Sequence, residues 1–222
     1  MMARIVQSSH AVTLIAGGPV SRRDLRLALA RAPVLVAADG GADRALALGE
    51  EPTAVIGDLD SISAPSRARL EGRLHHVTEQ DSTDFDKTLR NIDAPFVLAV
   101  GVAGARVDHG FAVLNALVRH RGPPCLLLGP EDVIFHALHP LDLHLSPGDR
   151  VSLFPMTGVT GRSEGLVWPI DGLDFAPDGR IGTSNAADAR RVRLAFDGPG
   201  MLVMLPRRRL DAAIRAVSSW ER

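Results

Sequence analysis

The chain has 222 residues, is 45% hydrophobic and carries a formal charge of −1 at pH 7. That length suits one large domain or two small ones around a sizeable core, and the near-neutral charge excludes a general attraction to nucleic acid. No apolar run approaches the roughly 18 residues of a membrane span, no long apolar segment follows the start Met1-Met2-Ala3-Arg4 as a signal peptide requires, and a lone Cys125 cannot form an internal disulfide, so a reducing cytoplasm is expected.

Residues 12–16 read as a buried strand broken by Gly17-Gly18-Pro19. Ser21 suits the N-cap of a helix with Leu25, Ala28 and Leu29 on its apolar side, closed by Pro33. Residues 34–38 form a second strand, followed directly by Asp39-Gly40-Gly41 and a short helix, 42–48. Strand, glycine turn, helix lets backbone N–H groups approach an anion at the helix N-terminus. Gly17-Gly18 and Gly40-Gly41 are both candidate nucleotide contacts, and both also read as ordinary tight turns.

Residues 54–56 are a third strand, ended by Gly57, and carry Asp58 and Asp60 two apart. If the backbone stays extended there, both carboxylates point to one side. They then repel unless a cation lies between them. Pro65 fits the first turn of a helix to about 71, and a short strand, 75–78, leads to Asp81-Ser82-Thr83-Asp84-Phe85-Asp86-Lys87. Ser82 or Thr83 can cap a helix running to about Asn91, in which Asp84 and Lys87 share a face. Hard oxygens from a strand end and a helix start suit Mg²⁺, with room left for phosphate oxygens. Any one of these acids alone reads as a solvated loop or cap residue; the set beside a lysine reads as a site.

Residues 96–100 are another strand, and 101–105 a turn of small residues. Arg106 sits where it could clamp a phosphate, and Asp108 is a reasonable N-cap for the next helix, apolar at Phe111, Ala112, Leu114, Leu117 and Val118. His109 could orient Asp108, touch phosphate or simply be exposed. With a last strand at 125–128, strand and helix alternate. That implies a parallel sheet with helices on both faces, whose ligands bind at the carboxyl ends of the strands. All the residues singled out from Asp39 to Asp108 fall there.

The character changes after about Pro130. Strands are expected at 141–145, 150–154, 159–163, 166–170, 192–196 and 201–205, with turns at Pro147-Gly148, Asp171-Gly172, Asp178-Gly179 and Asp197-Gly198. The expected organisation is an α/β domain over 1–135 and a small antiparallel, β-sandwich-like domain over 136–222. A closing helix carries Leu210, Ala213, Ile214 and Val217, and Arg207-Arg208-Arg209 reads as a solvated face. Trp168 reads from composition as a core residue of the β domain. His136, His139 and His144 match no common structural zinc spacing and have no cysteine near them.

Taken in order, Asp39-Gly40-Gly41-Ala42, Gly57-Asp58-Leu59-Asp60-Ser61, the stretch from Asp81 to Lys87, Arg106-Val107-Asp108-His109, Gly165-Leu166-Val167-Trp168-Pro169 and Thr183-Ser184-Asn185 resemble the thiamine pyrophosphokinase family. Each piece is weak alone and the ordered set is specific. The family often has glycine where this chain has Ala105. The resemblance implies a Rossmann-like α/β domain, transfer of diphosphate from ATP to the hydroxyl of thiamine, and release of AMP. It implies Mg²⁺ on Asp58, Asp60 and Asp84, and phosphate or nucleotide contacts from Asp39, Gly40, Gly41, Lys87, Arg106 and His109. Asp81 or Asp108 would handle the hydroxyl proton. Gln80, Trp168, Ser184 and Asn185 would bind thiamine, Trp168 by stacking, in a homodimer with shared sites. A pyrophosphokinase for another heterocyclic alcohol, such as a hydroxymethylpterin, and a non-catalytic nucleotide sensor of the same fold are the alternatives.

Overall fold

The computed structural model describes residues 4–102, 104 and 106–218, so Ala105 lies outside the described residues. The fold is mixed α/β, in two compact units that divide between Leu127 and Leu128.

The first unit contains β1 (Val6–Gln7), β2 (Val12–Ile15), α1 (Arg22–Leu29), β3 (Val34–Ala38), α2 (Gly41–Ala47), β4 (Ala54–Gly57), α3 (Ala64–Arg69), β5 (Leu74–His76), α4 (Asp84–Arg90), β6 (Ile92–Asp93), β7 (Val97–Val100), α5 (Val107–Arg119) and β8 (Cys125–Leu128). Six strands pair in parallel in the order β8-β7-β2-β3-β4-β5. Consecutive residues of β2, β4, β7 and β8 are buried without alternation, so these strands are covered on both faces. Buried Thr13 is tolerated because its hydroxyl donates to Ala32 O at 2.6 Å. The chain leaves β2 towards β3 on one side and returns to β7 on the other. That reversal opens a crevice beyond the carboxyl ends of β2 and β7. β1 and β6 form a separate two-stranded parallel ribbon that the sequence pattern did not signal.

Local chemistry sets the helix starts. Ser21 and Asp24 form a reciprocal capping box on α1: Asp24 N donates to Ser21 Oγ at 3.1 Å and Ser21 N to Asp24 Oδ2 at 3.4 Å. Ser63 caps α3, with Pro65 in its first turn, and Thr83 rather than Ser82 caps α4. Asp108 is not the cap of α5. Arg106 holds that position without a side-chain bond, and Asp108 lies in the first turn.

The second unit holds two antiparallel sheets. One has β9 (Asp132–His136), β11 (Arg150–Pro155), β14 (Gly182–Ala186) and β16 (Met201–Pro206), in the order β14-β11-β16-β9. The other has β10 (Leu141–His144), β12 (Val159–Glu164), β13 (Asp174–Phe175) and β15 (Arg191–Phe196), in the order β10-β15-β12-β13. β9 pairs with β16, so this unit begins before residue 136. Buried His136 accepts a hydrogen bond from Gly200 N at 2.8 Å, which makes it a structural residue. The arginines before α6 (Leu210–Ser218) are not simply a solvated face. Arg208 and Arg209 both pair with Asp149, which is 2% exposed and also accepts from Ser146 N at 2.7 Å. No helix among the described residues is long and apolar enough to cross a membrane.

The Ser21 capping box gives a direct test of how α1 is held. Ser21→Ala should lower stability by about 1 kcal/mol, seen as a lower urea midpoint with an unchanged m-value.

Candidate active site

Beyond the carboxyl end of β4, Asp58 accepts a hydrogen bond from Lys87 Nζ through Oδ2 at 3.0 Å, and Asp84 accepts from the same ammonium through Oδ1 at 3.2 Å. The Lys87 side chain is only 2% exposed. Burial alone would pull its pKa down. The hydrogen bonds and charges of Asp58 and Asp84 outweigh that and raise it above the usual lysine value. The Lys87 bond in turn holds the Asp58 carboxyl below its ordinary range, against the effect of burial. Asp84 Oδ1 also accepts from Asp58 N at 3.2 Å, so strand end and helix start are tied by backbone and side chain together. Thr88, one residue on, donates to Ile56 O at 3.0 Å and fixes α4 against β4.

Asp58 and Asp60 do converge, but not along an extended backbone. Leu59 between them has φ +62°, a left-handed turn, and Asp60 N donates back to Asp58 Oδ1 at 3.4 Å. Asp39 joins them from the end of β3, itself left-handed at φ +39°. It is 2% exposed; its Oδ2 accepts from Ser61 N at 3.0 Å, and its Oδ1 is buried with no partner among the described residues. Burial raises the Asp39 pKa. Asp39, Asp58 and Asp60 each offer an oxygen within 4.8 Å of the others. Asp84, expected beside Asp58 and Asp60, lies next to this group, with its Oδ1 accepting from Lys87 Nζ and Asp58 N. Gly57 makes the convergence possible: a Cβ there would lie 2.9 Å from Asp39 Cβ and 3.0 Å from Asp84 Oδ1.

Asp39 and Asp84 line a cleft of about 680 Å³ at the crevice beyond β2 and β7. Both glycine pairs contribute to its lining, through Gly17, Gly18 and Gly40. So does Gly101, whose φ of +69° and close approach to Ala16 O leave no space for a side chain. Arg106 and His109 line it from the start of α5. Arg106 is already paired: it grips Asp108 through Nε at 3.1 Å and Nη2 at 2.5 Å, both side chains being 64% exposed. That pairing holds the Asp108 pKa down at about 2. Gln80 and Asp81 are exposed and do not line the cleft, and Asp81 N donates to Glu79 Oε2 at 3.0 Å. Sequence reasoning missed Asp43 and Ser61. Asp43 lines the cleft and accepts from Ser63 N at 2.9 Å and from the Ser63 and Ser66 hydroxyls, joining α2 to α3. Its only signal was an acid in the first turn of a helix, which is too common to stand out.

In the second unit, residues 166–170 are not a strand. Leu166 makes an isolated bridge to Ala187, and the chain then loops outward. Trp168 is 60% exposed, so it is not a core residue. Asn185, on β14, accepts from Trp168 N at 3.2 Å and donates to Trp168 O at 2.7 Å. Ser184 beside it has φ +64° and donates its N–H to Ser152 Oγ at 3.0 Å.

Comparison with known proteins bears on this arrangement. A family model described as thiamin pyrophosphokinase, catalytic domain, matches residues 25–127, which lie within the first unit. Thiamine pyrophosphokinase 1 of Arabidopsis thaliana is 27% identical over 205 residues, covering 75% of each chain. The fold of this chain is that of solved thiamin pyrophosphokinases. The thiamin pyrophosphokinase of Candida albicans superposes with a TM-score of 0.75 at 15% identity, over 88% of this chain and 90% of that one. The Bacillus subtilis thiamine pyrophosphokinase gives 0.68 at 20% identity, over 88% and 98%. Within the residues that the family model matches lie Asp39, Asp58, Asp60, Asp84, Lys87, Arg106 and His109.

The buried ion-pair set has a definite pH signature. Lys87 has a raised pKa, so its contribution is complete below the ordinary lysine value and fades as pH rises through the raised one. Asp58 has a lowered pKa, so its contribution is complete above the ordinary aspartate value and fades as pH falls through the lowered one. At neutral pH both are at full strength. In chelator, Lys87→Met should cost about 2–3 kcal/mol at pH 7, less than for a fully buried pair because both acids are partly exposed. The gap to wild type should narrow below about pH 4 as the Asp58 carboxylate protonates. Urea denaturation across pH checks both the size and the narrowing.

Proposed function

We propose that this protein is a thiamine pyrophosphokinase, transferring the diphosphoryl group of ATP to the hydroxyl of thiamine to give thiamine diphosphate and AMP. One observation carries the reading. Three carboxylates converge beside a buried lysine, the first of them, Asp39, lines the cleft, and its Oδ1 is buried with no partner among the described residues. Hard, closely spaced oxygens with an unsatisfied member fit a divalent cation such as Mg²⁺. Asp39, Asp58 and Asp60 would hold it, with Asp84 fixing Asp58 from behind. A divalent cation held there would offset the charge that develops on the phosphates during transfer.

The chain's own groups supply the rest. In this reading the first unit is the Rossmann-like, nucleotide-binding catalytic domain, with helices on both faces of its sheet. Backbone N–H groups at Gly40-Gly41 face the phosphates, and Arg106 and His109 approach from α5, while the Gly18 N–H is held by Gly101 O at 2.9 Å. Lys87 sets the charge and position of Asp58 and Asp84. The thiamine oxygen forms a bond to the β-phosphorus, and the bond from that phosphorus to the oxygen shared with the α-phosphorus breaks, so that AMP leaves. Asp81 or Asp108 accepts or positions the hydroxyl proton, and Arg106 holds the Asp108 pKa down at about 2. Most of the acceleration then comes from positioning and electrostatics.

The second unit serves as the thiamine-binding and dimerisation domain. Trp168 of one chain closes the nucleotide site of another in a two-fold homodimer. A cytoplasmic location suits the lone, buried Cys125.

Thiamine-dependent AMP release should appear with ATP and Mg²⁺ and vanish in chelator. Formation of ADP in place of AMP would refute diphosphoryl transfer. Shared sites predict complementation between Asp84→Ala and Trp168→Ala, each nearly inactive alone. In a mixed dimer one site carries both lesions and the other neither, so refolding an equal mixture should restore about a quarter of wild-type sites. Mixed dimers that form and stay inactive would place the whole site within one chain.

A further inference from the structure

We propose that Asn185 is a positioning residue, which holds the Trp168 ring out through a clamp on that residue's backbone and does not itself contact the substrate. The inference deepens the reading of Trp168 as the ring that stacks on thiamine and rests on it. Asn185 is 6% exposed, and its side chain is already engaged. Oδ1 accepts from Trp168 N at 3.2 Å and from Ala186 N at 2.8 Å, and Nδ2 donates to Trp168 O at 2.7 Å. An amide offers two acceptor sites and two N–H donors. One N–H remains, on a group closed off from solvent.

The sheet is built to aim this side chain. Between β11 and β14 the partners run Val151 with Asn185 and then Leu153 with Gly182, so β14 carries one extra residue. Ser184, left-handed and anchored on Ser152 Oγ, absorbs it. A bulge of this kind redirects the neighbouring side chain. The loop it reaches is fixed on both sides of Trp168. Leu166 and Ile170 are buried, Val167 N donates to Ala186 O at 2.9 Å, and Ile170 N donates to Ser163 Oγ at 3.1 Å. Val167 and Trp168 stand exposed between them. A loop held this way enters a complex with its backbone freedom already spent, so less ordering opposes binding by the ring it carries.

The chain has two tryptophans, so a Trp220→Phe background leaves Trp168 as the sole emitter. In that background Asn185→Ala should lower the fluorescence anisotropy of Trp168 and increase its quenching by acrylamide, without any ligand present. KM for thiamine should rise about tenfold, the size expected for losing about 1.4 kcal/mol of binding, while KM for ATP stays put. In a double-mutant cycle on kcat/KM, Asn185→Ala added to Trp168→Ala should cost less than about twofold more, because the clamp then holds nothing of use. Asn185→Asp keeps both acceptor bonds and loses the donor to Trp168 O, so it should fall between wild type and alanine, and it serves in the same assays if the alanine variant folds poorly. A further tenfold loss on the Trp168→Ala background would make Asn185 a direct substrate contact, and unchanged Trp168 fluorescence would show that the clamp does not hold the ring. Either result overturns the proposal. Failure of thiamine turnover in the unmutated protein would instead refute the functional reading, and the fluorescence would still decide the clamp.

Discussion

A single buried ammonium governs the acidic site. Lys87 lies in the interior with two carboxylates on it, one from the end of β4 and one from the start of α4. Remove that charge and Asp58 and Asp84 repel each other across a space that Gly57 has already made as small as possible. With it in place, each acid fixes the other, and Asp58 can be turned towards Asp60 and Asp39. A buried charge is expensive unless paired and hydrogen-bonded, and here the pairing is also what sets the geometry of the cleft. Stability and site therefore share one interaction.

The rest of the site depends on where the parallel strands stop. β2, β3, β4 and β7 all end at the crevice opened by the reversal of strand order, and each contributes its next few residues. Those residues leave regular structure at once, because only sharply turned backbone can bring Asp39, Asp58 and Asp60 within reach of a common point. Among the described residues, the three non-glycine positions with positive φ are Asp39, Leu59 and Ser184. Two shape the acidic cluster and the third shapes the seat of Trp168.

Much of this was legible in the chain itself. The apolar runs at Val34–Ala38, Ala54–Gly57 and Val97–Val100 read as strands because they are short, apolar and punctuated by glycine. Asp84 and Lys87 could be placed on one face of a helix from spacing alone. What stayed hidden depends on long-range contacts. The left-handed turn at Leu59 has no signature, since leucine ordinarily avoids it. The engagement of Asp84 by Asp58 N, and the resulting entry of Asp39 into the carboxylate cluster, follow from the packing of α4 on β4. Residues 166–170 form a short apolar run with valine, tryptophan and isoleucine, so they mimic a strand, and only the reach of Asn185 from β14 reveals a loop. β9 was overlooked because its partner, β16, lies some seventy residues further along the chain.

The left-handed residues carry a consequence for evolution and engineering. A leucine at φ +62° costs on the order of 1 kcal/mol that a glycine would not. A search for hardier variants would therefore be drawn to positions 39, 59 and 184. At 39 a glycine would also delete a carboxylate. At 59 and 184 it would free the backbone on either side, with the loss falling on the definition of the cleft or of the tryptophan seat. Selection for heat resistance and selection for turnover should pull in opposite directions at these positions. A lineage that came to carry glycine at 59 would be expected to have traded catalytic precision for robustness.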